Sequence, residues 1–343
     1  MTDPATADPV LVTGGTGFIG RRLVVRLRAT GHRVRVLALP DESLPQGWDS
    51  GIEVIRGTLS DAAAVARAVA GTGLVYHLAA VVGDWAPDAM FRDVTVEGTR
   101  RVLAPAFNGG IPVVLASSIV VYGDRLGREI CSEDLPHGRA YGPYSRSKQA
   151  QERLAQEYLA RGADIRIVRP ANVYGPGSRN WLDEVVKVLK SGAPSLVSGG
   201  GQNAGLVYVE NVADILFRAG GPDASAGDVF NACDQEEVTW ARYFGDLADI
   251  IGAPAPRSVP GWVAWPLAGA MESIWRWRGK TERPALTREA IHLISADHRV
   301  PAGKARSVLG HTPLVAYSSG LAACVADLKD RGLFREQRTG SRN

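Results

Sequence analysis

A tyrosine and a lysine four residues apart are the first side chains in this sequence that could carry chemistry. In "YSRSK" they are Tyr144 and Lys148. Residues i and i+4 lie on one face of a helix, so both side chains can reach the same point. A lysine ammonium close to a phenol favours the phenolate and lowers the phenol pKa from about 10 toward neutral pH. Such a tyrosine could exchange a proton with an alcohol or a ketone.

The surrounding run "YSRSKQAQER" is polar throughout, which is also typical of a solvated helix face. A third side chain favours the catalytic interpretation. Ser118 ends the run "PVVLASS", which predicts a buried strand that finishes in hydroxyl groups. That hydroxyl could bind a substrate oxygen and stabilise negative charge that develops beside Tyr144.

A glycine-rich loop near the N-terminus predicts a dinucleotide site. In "VLVTGGTGFIG", Gly14, Gly17 and Gly20 join the first predicted strand to the first predicted helix. Glycines there permit a tight turn and a close approach of the backbone, so a pyrophosphate can bind the free N–H groups of the helix. The spacing is G-x-x-G-x-x-G, and loops also use glycine for positive φ. The position between a strand and a helix is nevertheless the context that the motif requires.

The choice between NAD and NADP depends on the end of the second strand. An acidic residue there favours the ribose 2′-hydroxyl of NAD, and an arginine favours the 2′-phosphate of NADP. This sequence has Ala38 and Leu39 at those positions, with Asp41 just beyond. We therefore expect NAD or NADP without choosing between them.

The elements that must position these residues alternate along the first half of the chain. Short β-branched runs and helix-length segments follow each other from residue 9 to about 117, which predicts parallel strands joined by right-handed crossovers. The fold prediction is α/β, a doubly wound parallel sheet of Rossmann type with a smaller, mainly helical C-terminal substrate region. The predicted boundaries are 1–175 for the dinucleotide-binding domain with a return at about 205–235, 176–204 and 236–330 for the substrate-binding region, and 331–343 for a flexible basic tail.

Composition and charge exclude several function classes. The chain has 343 residues, of which 45% are hydrophobic and 22% charged, as in soluble globular proteins. A net charge of +3 comes from 39 basic and 36 acidic residues spread along the chain, so we expect no nucleic-acid partner. The N-terminus has no signal pattern, and no apolar run reaches the roughly 18 residues of a membrane span. We expect a cytoplasmic protein with no integral membrane span.

Cysteine and histidine spacing predicts neither disulfides nor a metal. Three isolated cysteines cannot form a disulfide framework or a CxxC pair, which fits a reducing cytoplasm; they are Cys131, Cys233 and Cys324. The six histidines include no pair at ligand spacing; they lie at positions 32, 77, 137, 292, 298 and 311.

Five ordered motifs, "TGGTGFIG", "HLAA", "SSIVVYG", "YSRSK" and "RPANVYGPG", extend over much of the chain. Together they resemble the extended short-chain dehydrogenase/reductase superfamily. The resemblance implies that Ser118, Tyr144 and Lys148 form a catalytic triad, with hydride passing between a substrate carbon and a nicotinamide. It also implies a cofactor site that contains, besides Tyr144 and Lys148, the residues Gly14, Gly17, Phe18, Ile19, Gly20, Leu39, Thr58, Leu59, Leu78, Ala79, Ala80, Pro170, Asn172 and Val173.

Two positions depart from the superfamily pattern. Thr95 stands where many members have asparagine, and Thr58 stands where an aspartate usually contacts adenine. Thr95 can still hold a water molecule by hydrogen bonds, and threonine there is similar to the dihydroflavonol reductase branch. Thr58 can offer its hydroxyl, or the backbone of Leu59 can make the adenine contact.

The second half of the chain favours an apolar substrate. Nucleotide-sugar members commonly carry an arginine just before the strand that reads "LVYVENV", to hold the pyrophosphate, and this chain has Ala204 at about that place. The C-terminal layout is similar to the 3β-hydroxysteroid dehydrogenase-like branch. We expect a bulky, largely apolar small molecule, whether sterol-like, long-chain β-keto or polyketide-like. The candidate substrate contacts are Asp84, Trp85, Asn172 and Tyr208, although a loop that caps the next helix through Asp88 explains the first two about as well.

A tryptophan-rich stretch, "PGWVAWPLAGAMESIWRW", has three interpretations. It contains Trp262, Trp265, Trp275 and Trp277. It could be a core helix broken at Pro266, a lid over an apolar pocket, or a shallow contact with a membrane surface.

The leading hypothesis is an NAD(P)-dependent reductase or dehydrogenase that interconverts a ketone and a secondary alcohol. One alternative is a nucleotide-sugar epimerase or dehydratase that keeps NAD tightly bound. Another is a non-catalytic dinucleotide-binding sensor. The resemblance also implies a homodimer, in which the helices near residues 88–107 and 144–160 form a four-helix bundle with those of a second copy.

Overall fold

A seven-stranded, wholly parallel sheet forms the centre of the computed structural model, which describes residues 8–333. Parallel sheets are covered on both faces, and all four residues of the first strand are accordingly buried. The strands are β1 Val10–Thr13, β2 Val34–Ala38, β3 Ile52–Arg56, β4 Leu74–His77, β5 Val113–Ala116, β6 Ile165–Pro170 and, later in the chain, β10 Val229–Ala232. Their spatial order is β10-β6-β5-β4-β1-β2-β3.

Helices cover both faces of this sheet. One face packs against α1 (Gly20–Ala29) and α7 (Val209–Ala219). The other face packs against α2 (Ala62–Val69), α4 (Gly98–Asn108) and α5 (Pro143–Leu159). Because successive side chains of a strand point to opposite faces, β1 contributes alternately to the two cores. The predicted doubly wound α/β fold of Rossmann type is confirmed.

The strand order reverses between β1 and β4, because β2 and β3 lie on one side of this pair and β5 and β6 on the other. Ligands of open α/β sheets bind at the carboxyl ends of the strands beside such a reversal. Thr13 and His77, the last residues of β1 and β4, are direct register partners there.

The helix after β4 contains an irregular turn. It begins as α3 (Asp88–Met90), continues as a π-helical segment (Phe91–Glu97) and runs on into α4. Such π turns are rare and often lie at functional sites. The buried Thr95 accepts a hydrogen bond at Oγ1 from the backbone N–H of Val81, 3.1 Å away. Its hydroxyl therefore holds the loop after β4, a contact that the sequence did not indicate.

The rest of the chain builds a second, largely helical unit. Two short parallel pairs belong to it, β7 (Asn172–Tyr174) with β9 (Leu206–Tyr208), and β8 (Leu196–Val197) with β11 (Ser258–Val259). Its helices are α6 Glu184–Ser191, α8 Trp240–Ile251, α9 Gly261–Trp277, α10 Arg288–Ser295, α11 Gly303–Leu309 and α12 Tyr317–Asp330. The core beneath α6, α8 and α12 is rich in aromatic rings, among them the buried Tyr174, Trp240 and Tyr243.

Within residues 8–333, one strand after β6 rejoins the main sheet. In the range of about 205–235 where a return was expected, β10 joins the edge beside β6, whereas β9 pairs with β7 outside the sheet. Ala305 and Leu309 of α11 belong to the core on the α1 and α7 face, although they lie within the predicted substrate region. The predicted domain boundaries stay a prediction, and the predicted basic tail lies outside the described residues from 334 onward.

Helix α9 is not broken at Pro266, although a broken core helix was one interpretation of the sequence. It runs without a break through Pro266, which lies only in its second turn, where the missing N–H would have bonded to the carbonyl of Trp262. Trp262 and Trp277 are 81% and 84% exposed, so they are not core residues. Across residues 8–333, no helix combines the length and apolarity needed to cross a membrane.

Candidate active site

The glycine loop forms a cradle that larger residues could not form. Gly14 has a φ of +69°, and a Cβ there would lie 2.9 Å from the backbone nitrogen of Ala79. A Cβ on Gly20 would lie 2.0 Å from the carbonyl oxygen of Gly14. The N–H of Gly17 donates to that same oxygen at 3.0 Å, so the loop folds tightly onto the first turn of α1. This geometry fits the predicted pyrophosphate site.

The predicted binding site for the adenosine part of the dinucleotide lies at the carboxyl ends of β2 and β3. Leu39 is half-exposed there, and Thr58 accepts a local hydrogen bond from the N–H of Ser60. Arg56 was not predicted from the sequence to belong to the site. It is the register partner of Ala38. Its guanidinium donates to the carbonyl of Leu39 at 2.8 Å and to a second carbonyl of the same loop at 2.6 Å. A cation therefore stands beside the strand end that discriminates NAD from NADP.

Ser118 and Tyr144 meet at the carboxyl end of β5. Ser118 caps the 3₁₀ segment Ile119–Arg125, and its hydroxyl lies close enough to the Tyr144 phenol to affect the pKa of that phenol. Burial raises the pKa of Tyr144 to about 12; the nearby Ser118 hydroxyl opposes this rise and the Glu289 carboxyl adds to it. Tyr144 is thus a protonated phenol at neutral pH, contrary to the lowered pKa expected from the sequence.

Lys148 does not lower the Tyr144 pKa because its ammonium is held elsewhere. The Lys148 side chain is buried, and Nζ donates to the carbonyl of Ala116 at 2.8 Å and to Oε1 of Gln151 at 2.9 Å. Burial lowers the pKa of Lys148 to about 8, while the charge of Glu152 opposes that change. The shared helix face predicted from the spacing exists, but the ammonium points to the end of β5.

A chain of buried hydrogen bonds continues from Gln151 to the glycine loop. Nε2 of Gln151 donates to Oγ1 of Thr99 at 2.8 Å, and Thr99 donates its own proton to a backbone carbonyl. Nε2 of His77, 2.9 Å from Oγ1 of Thr99, must then be the donor, so Nδ1 accepts from the Thr13 hydroxyl at 2.7 Å. Thr13 in turn accepts from the N–H of Ala79.

His77 is neutral in this chain, because burial, with a smaller effect of the Lys148 charge, lowers its pKa to about 3. The hydrogen bonds assign its single proton to Nε2. The predicted cofactor residues Leu78, Ala79 and Ala80 follow directly on this histidine and are partly exposed. The "HLAA" motif therefore combines one fixed polar anchor with three small or apolar residues at the strand end.

A buried ion pair fixes α5, the helix that carries Tyr144 and Lys148, against the sheet. Arg169 of β6 donates from Nε and Nη2 to the two oxygens of Glu152 in α5, at 2.9 and 2.7 Å. Burial alone would raise the pKa of Glu152, but hydrogen bonds from His137 and Arg169 lower it to about 2. Arg169 also donates to the Tyr122 hydroxyl at 2.9 Å. This pair was not predicted from the sequence, and its partners are 17 residues apart.

The predicted substrate residues are engaged in different ways. Both oxygens of Asp84 accept from Arg283, at 2.6 and 2.7 Å, and Thr287 donates to one of them. Asp84 therefore ties the loop after β4 to the C-terminal region. Trp85 is partly buried beneath the guanidinium of Arg276, 5.3 Å from the ring centre. Their contact with a substrate stays a prediction.

The chain passes from β6 into the second unit through Pro170, Asn172 and Val173. Tyr208 lies on β9, which pairs with β7 beside them. Nδ2 of Asn172 donates to the carbonyl of Ala204 at 2.6 Å. Tyr208 is buried in the aromatic core, with its ring 5.3 Å from that of Tyr174. The cofactor and substrate contacts predicted for these residues stay predictions. Phe18 and Ile19, from the glycine loop, also pack against this aromatic core.

Comparison with known families agrees with this geometry. The sequence pattern of the NAD dependent epimerase/dehydratase family matches residues 10–233, which is more than half of the 343 residues. The chain belongs to this family. The match runs from the start of β1 to the residue after β10 and so includes the whole parallel sheet.

Relatives of known name fall on the reductase and dehydrogenase side of the family. The 2-alkyl-3-oxoalkanoate reductase of Stenotrophomonas maltophilia is 28% identical over 325 residues, covering 91% of this chain and 97% of that protein. The 3beta-hydroxysteroid-dehydrogenase/decarboxylase isoform 2 of Arabidopsis thaliana is also 28% identical, over 91% of this chain and 60% of that protein. The solved structure of the dTDP-glucose 4,6-dehydratase DesIV of Streptomyces venezuelae, with NAD bound, has a TM-score of 0.75 and 25% identity, covering 95% of this chain and 99% of that one.

These findings confirm the predicted resemblance to extended short-chain dehydrogenases/reductases and the prediction of an NAD(P)-dependent oxidoreductase. NAD and NADP stay alternatives. The predicted triad and cofactor-lining residues stay predictions. Within residues 8–333, no three histidine, cysteine or acidic side chains gather as a metal site, and the three cysteines are buried free thiols.

The Glu152–Arg169 pair predicts a large stability difference between two charge deletions. Glu152→Gln leaves the buried Arg169 without its counter-charge, so the free energy of unfolding should fall by about 3 to 5 kcal/mol. Glu97→Gln breaks an exposed pair with Arg100 on α4 and should change it by less than about 1 kcal/mol. Urea unfolding of both variants measures the difference, and equal losses would contradict the role given to the buried pair.

Proposed function

We propose that this protein is an NAD(P)-dependent reductase that converts a ketone on a bulky, largely apolar molecule into a secondary alcohol, with alcohol oxidation as the reverse reaction. The observation that carries this proposal is that Tyr144 and Lys148 of α5 meet Ser118 at the end of β5, where Lys148 is buried and binds the carbonyl of Ala116. The three side chains lie near the carboxyl end of β5, which is the edge of the sheet that also holds the glycine loop.

Each residue has a distinct role in the proposed reaction. The nicotinamide, when bound, supplies the hydride that reaches the carbonyl carbon. Ser118 donates a hydrogen bond to the carbonyl oxygen, and Tyr144 transfers its proton to that oxygen as the alcohol forms. The raised pKa of Tyr144 keeps this proton in place at neutral pH. Lys148 is buried one turn further along α5, where its ammonium binds the carbonyl of Ala116 at the end of β5.

The apolar substrate class rests on the relatives and on the missing arginine. The names of the two curated relatives describe action on an oxoalkanoate and on a steroid. Ala204 stands where sugar-nucleotide members commonly hold the pyrophosphate, and it is fully buried. Trp85 and the partly buried Trp265, whose ring meets Tyr141 at 5.1 Å, are the aromatic side chains that we propose to line the substrate entrance.

A second candidate function is a nucleotide-sugar epimerase or dehydratase that keeps NAD bound. The likeness to the sugar dehydratase structure over 95% of the chain favours it. Denatured, freshly purified protein would then release NAD in a stoichiometric amount. The purified enzyme would also turn over substrate with no net change in cofactor absorbance.

Tyr144→Phe should abolish the proposed proton transfer. We expect turnover to fall by about a hundredfold or more, while dinucleotide binding persists. Cofactor absorbance measures the reaction with 2-alkyl-3-oxoalkanoates and 3-ketosteroids, and fluorescence titration measures binding. Tyr158→Phe is the matched control, because Tyr158 is buried on the same helix and packs on Phe107. Unchanged turnover in Tyr144→Phe would reject Tyr144 as the proton donor.

We also propose a homodimer formed by the helices near residues 88–107 and 144–160, which are the continuous segment of α3, the π-helical turn and α4, and helix α5. Helices α4 and α5 lie on the same sheet face, and in the first segment Met90 is 50% exposed while Val96 is partly exposed. Family resemblance is the second support. Two copies could thus build a four-helix bundle.

Sedimentation velocity should give twice the chain mass of 36.5 kDa. Val96→Arg would place a charge in the proposed interface and should shift the protein toward a monomer. Val25→Arg, at a 61% exposed position of α1, should leave the dimer intact. A monomeric wild type, or a dimer insensitive to Val96→Arg, would count against this interface.

We further propose that this is a cytoplasmic protein that touches a membrane surface through α9. The free thiols support the first part. For the second, the outward face of α9 carries no charge along most of its length; its exposed uncharged residues are Trp262, Pro266, Leu267, Ala270, Ser273, Ile274 and Trp277. Arg276, also exposed, lies in the last turn of α9, and Arg278 and Lys280 follow the helix, where these cations could meet anionic headgroups.

Vesicles of phosphatidylglycerol and phosphatidylcholine should retain the wild-type protein in a co-sedimentation assay, less so at high salt. The double variant Trp262→Ser and Trp277→Ser should bind about tenfold more weakly or worse, because each lost indole removes apolar burial. Val82→Ser, at a 66% exposed apolar position elsewhere, is the control. Absence of wild-type binding would refute the membrane contact.

A further inference from the structure

The helix that carries Tyr144 receives its N-terminal cap from a distant part of the chain. Free N–H groups in the first turn of a helix need acceptors, but the residue before α5 is Gly142, which has no side chain. Oε1 of Glu289 accepts instead from the N–H of Ser145 at 2.8 Å, across 144 residues of sequence. The N–H of Tyr144, in the same first turn, lies near this carboxyl group and lowers its pKa.

Glu289 fits this place closely. A Cβ on Gly142 would lie 1.8 Å from Oε2 of Glu289, so only glycine allows the approach. Glu289 is 4% exposed, and its Oε2 is buried with no hydrogen-bond partner. Burial of a carboxylate with one unpaired oxygen is unfavourable. Burial accordingly raises the pKa of Glu289 to about 7, against the opposing hydrogen bonds from Ser145 and the nearby N–H of Tyr144.

The other charged groups around Glu289 are paired with each other, so they do not neutralise a charge on Glu289. Asp84, in the loop after β4, is paired with Arg283 and also raises the Glu289 pKa. On α10 itself, Arg288 is paired with Glu272 of α9. His292 lines the same small cavity as Glu289, Ser145 and Tyr141 and bonds to the carbonyl of Gly123. Burial lowers the His292 pKa, which keeps it neutral.

We propose that Glu289 is a positioning residue for proton transfer by Tyr144, and that carbonyl reduction slows when Glu289 loses its proton. The inference rests on the proposed function. Protonated Glu289 caps the first turn of α5 and leaves the phenol free to ionise as it gives up its proton. Ionised Glu289 keeps the cap but places a negative charge beside the phenolate that must form, so Tyr144 becomes a weaker acid.

The test is the pH profile of the reduction rate with the ketones named above. In the wild type, kcat should fall by about threefold or more as pH rises through about 7. Glu289→Gln keeps an acceptor oxygen without the charge, so this fall should vanish. Glu97→Gln removes a carboxyl whose partner is Arg100 on α4 and should retain the wild-type break. Superimposable profiles of the wild type and Glu289→Gln would overturn the proposal.

A second measurement needs no substrate. Because the folded-state pKa of Glu289 is raised to about 7, the protonated carboxyl contributes its full stability below the unfolded-state pKa, and this contribution is lost as pH rises through about 7. The thermal midpoint of the wild type should therefore fall relative to Glu289→Gln between about pH 5 and pH 8, and Glu289→Ala should be less stable than Glu289→Gln throughout. A pH-independent difference would overturn the proposal. Absence of turnover in every variant, with this stability difference present, would instead refute the proposed function.

Discussion

The buried bond between Glu152 and Arg169 is the interaction on which the placement of the site depends. Tyr144, Lys148 and Glu152 follow each other at intervals of four along α5, so they share one helix face. By fixing Glu152 to β6, the pair sets both the rotation and the axial position of that helix. Two charges that are removed from water stabilise a fold only when their geometry is nearly ideal and their other hydrogen bonds are satisfied, and here His137 and Tyr122 complete the set.

A chain of hydrogen-bonded side chains from Lys148 to Thr13 connects α5 to the glycine loop. It begins at the lysine and crosses Gln151, Thr99 and His77 before it reaches the strand that leads into the glycine loop. Each side chain in it is hydrogen-bonded to the next, and such a buried polar network rigidifies a core. A displacement of α5 would therefore disturb the glycine loop as well.

Local sequence patterns predicted the parts of this molecule that depend on short-range periodicity. The alternation of apolar runs predicted β1 to β6, and the glycines predicted the turn at Gly14. Contacts between distant segments left no such signal: the capture of Asp84 by Arg283 and the cap on α5 from Glu289 join residues 199 and 144 positions apart. The interpretation of Pro266 as a break failed for a local reason, since a proline near the start of a helix removes only one hydrogen bond.

The pKa of Tyr144 shows why spacing alone could not give the electrostatics. The four-residue interval correctly put Lys148 on the same face, but it carries no information about which acceptor the ammonium chooses, and the carbonyl of Ala116 lies within 2.8 Å. With that charge directed to the strand end, burial dominates and the phenol keeps its proton. A protonated phenol next to the Ser118 hydroxyl is equipped to give a proton to a carbonyl oxygen.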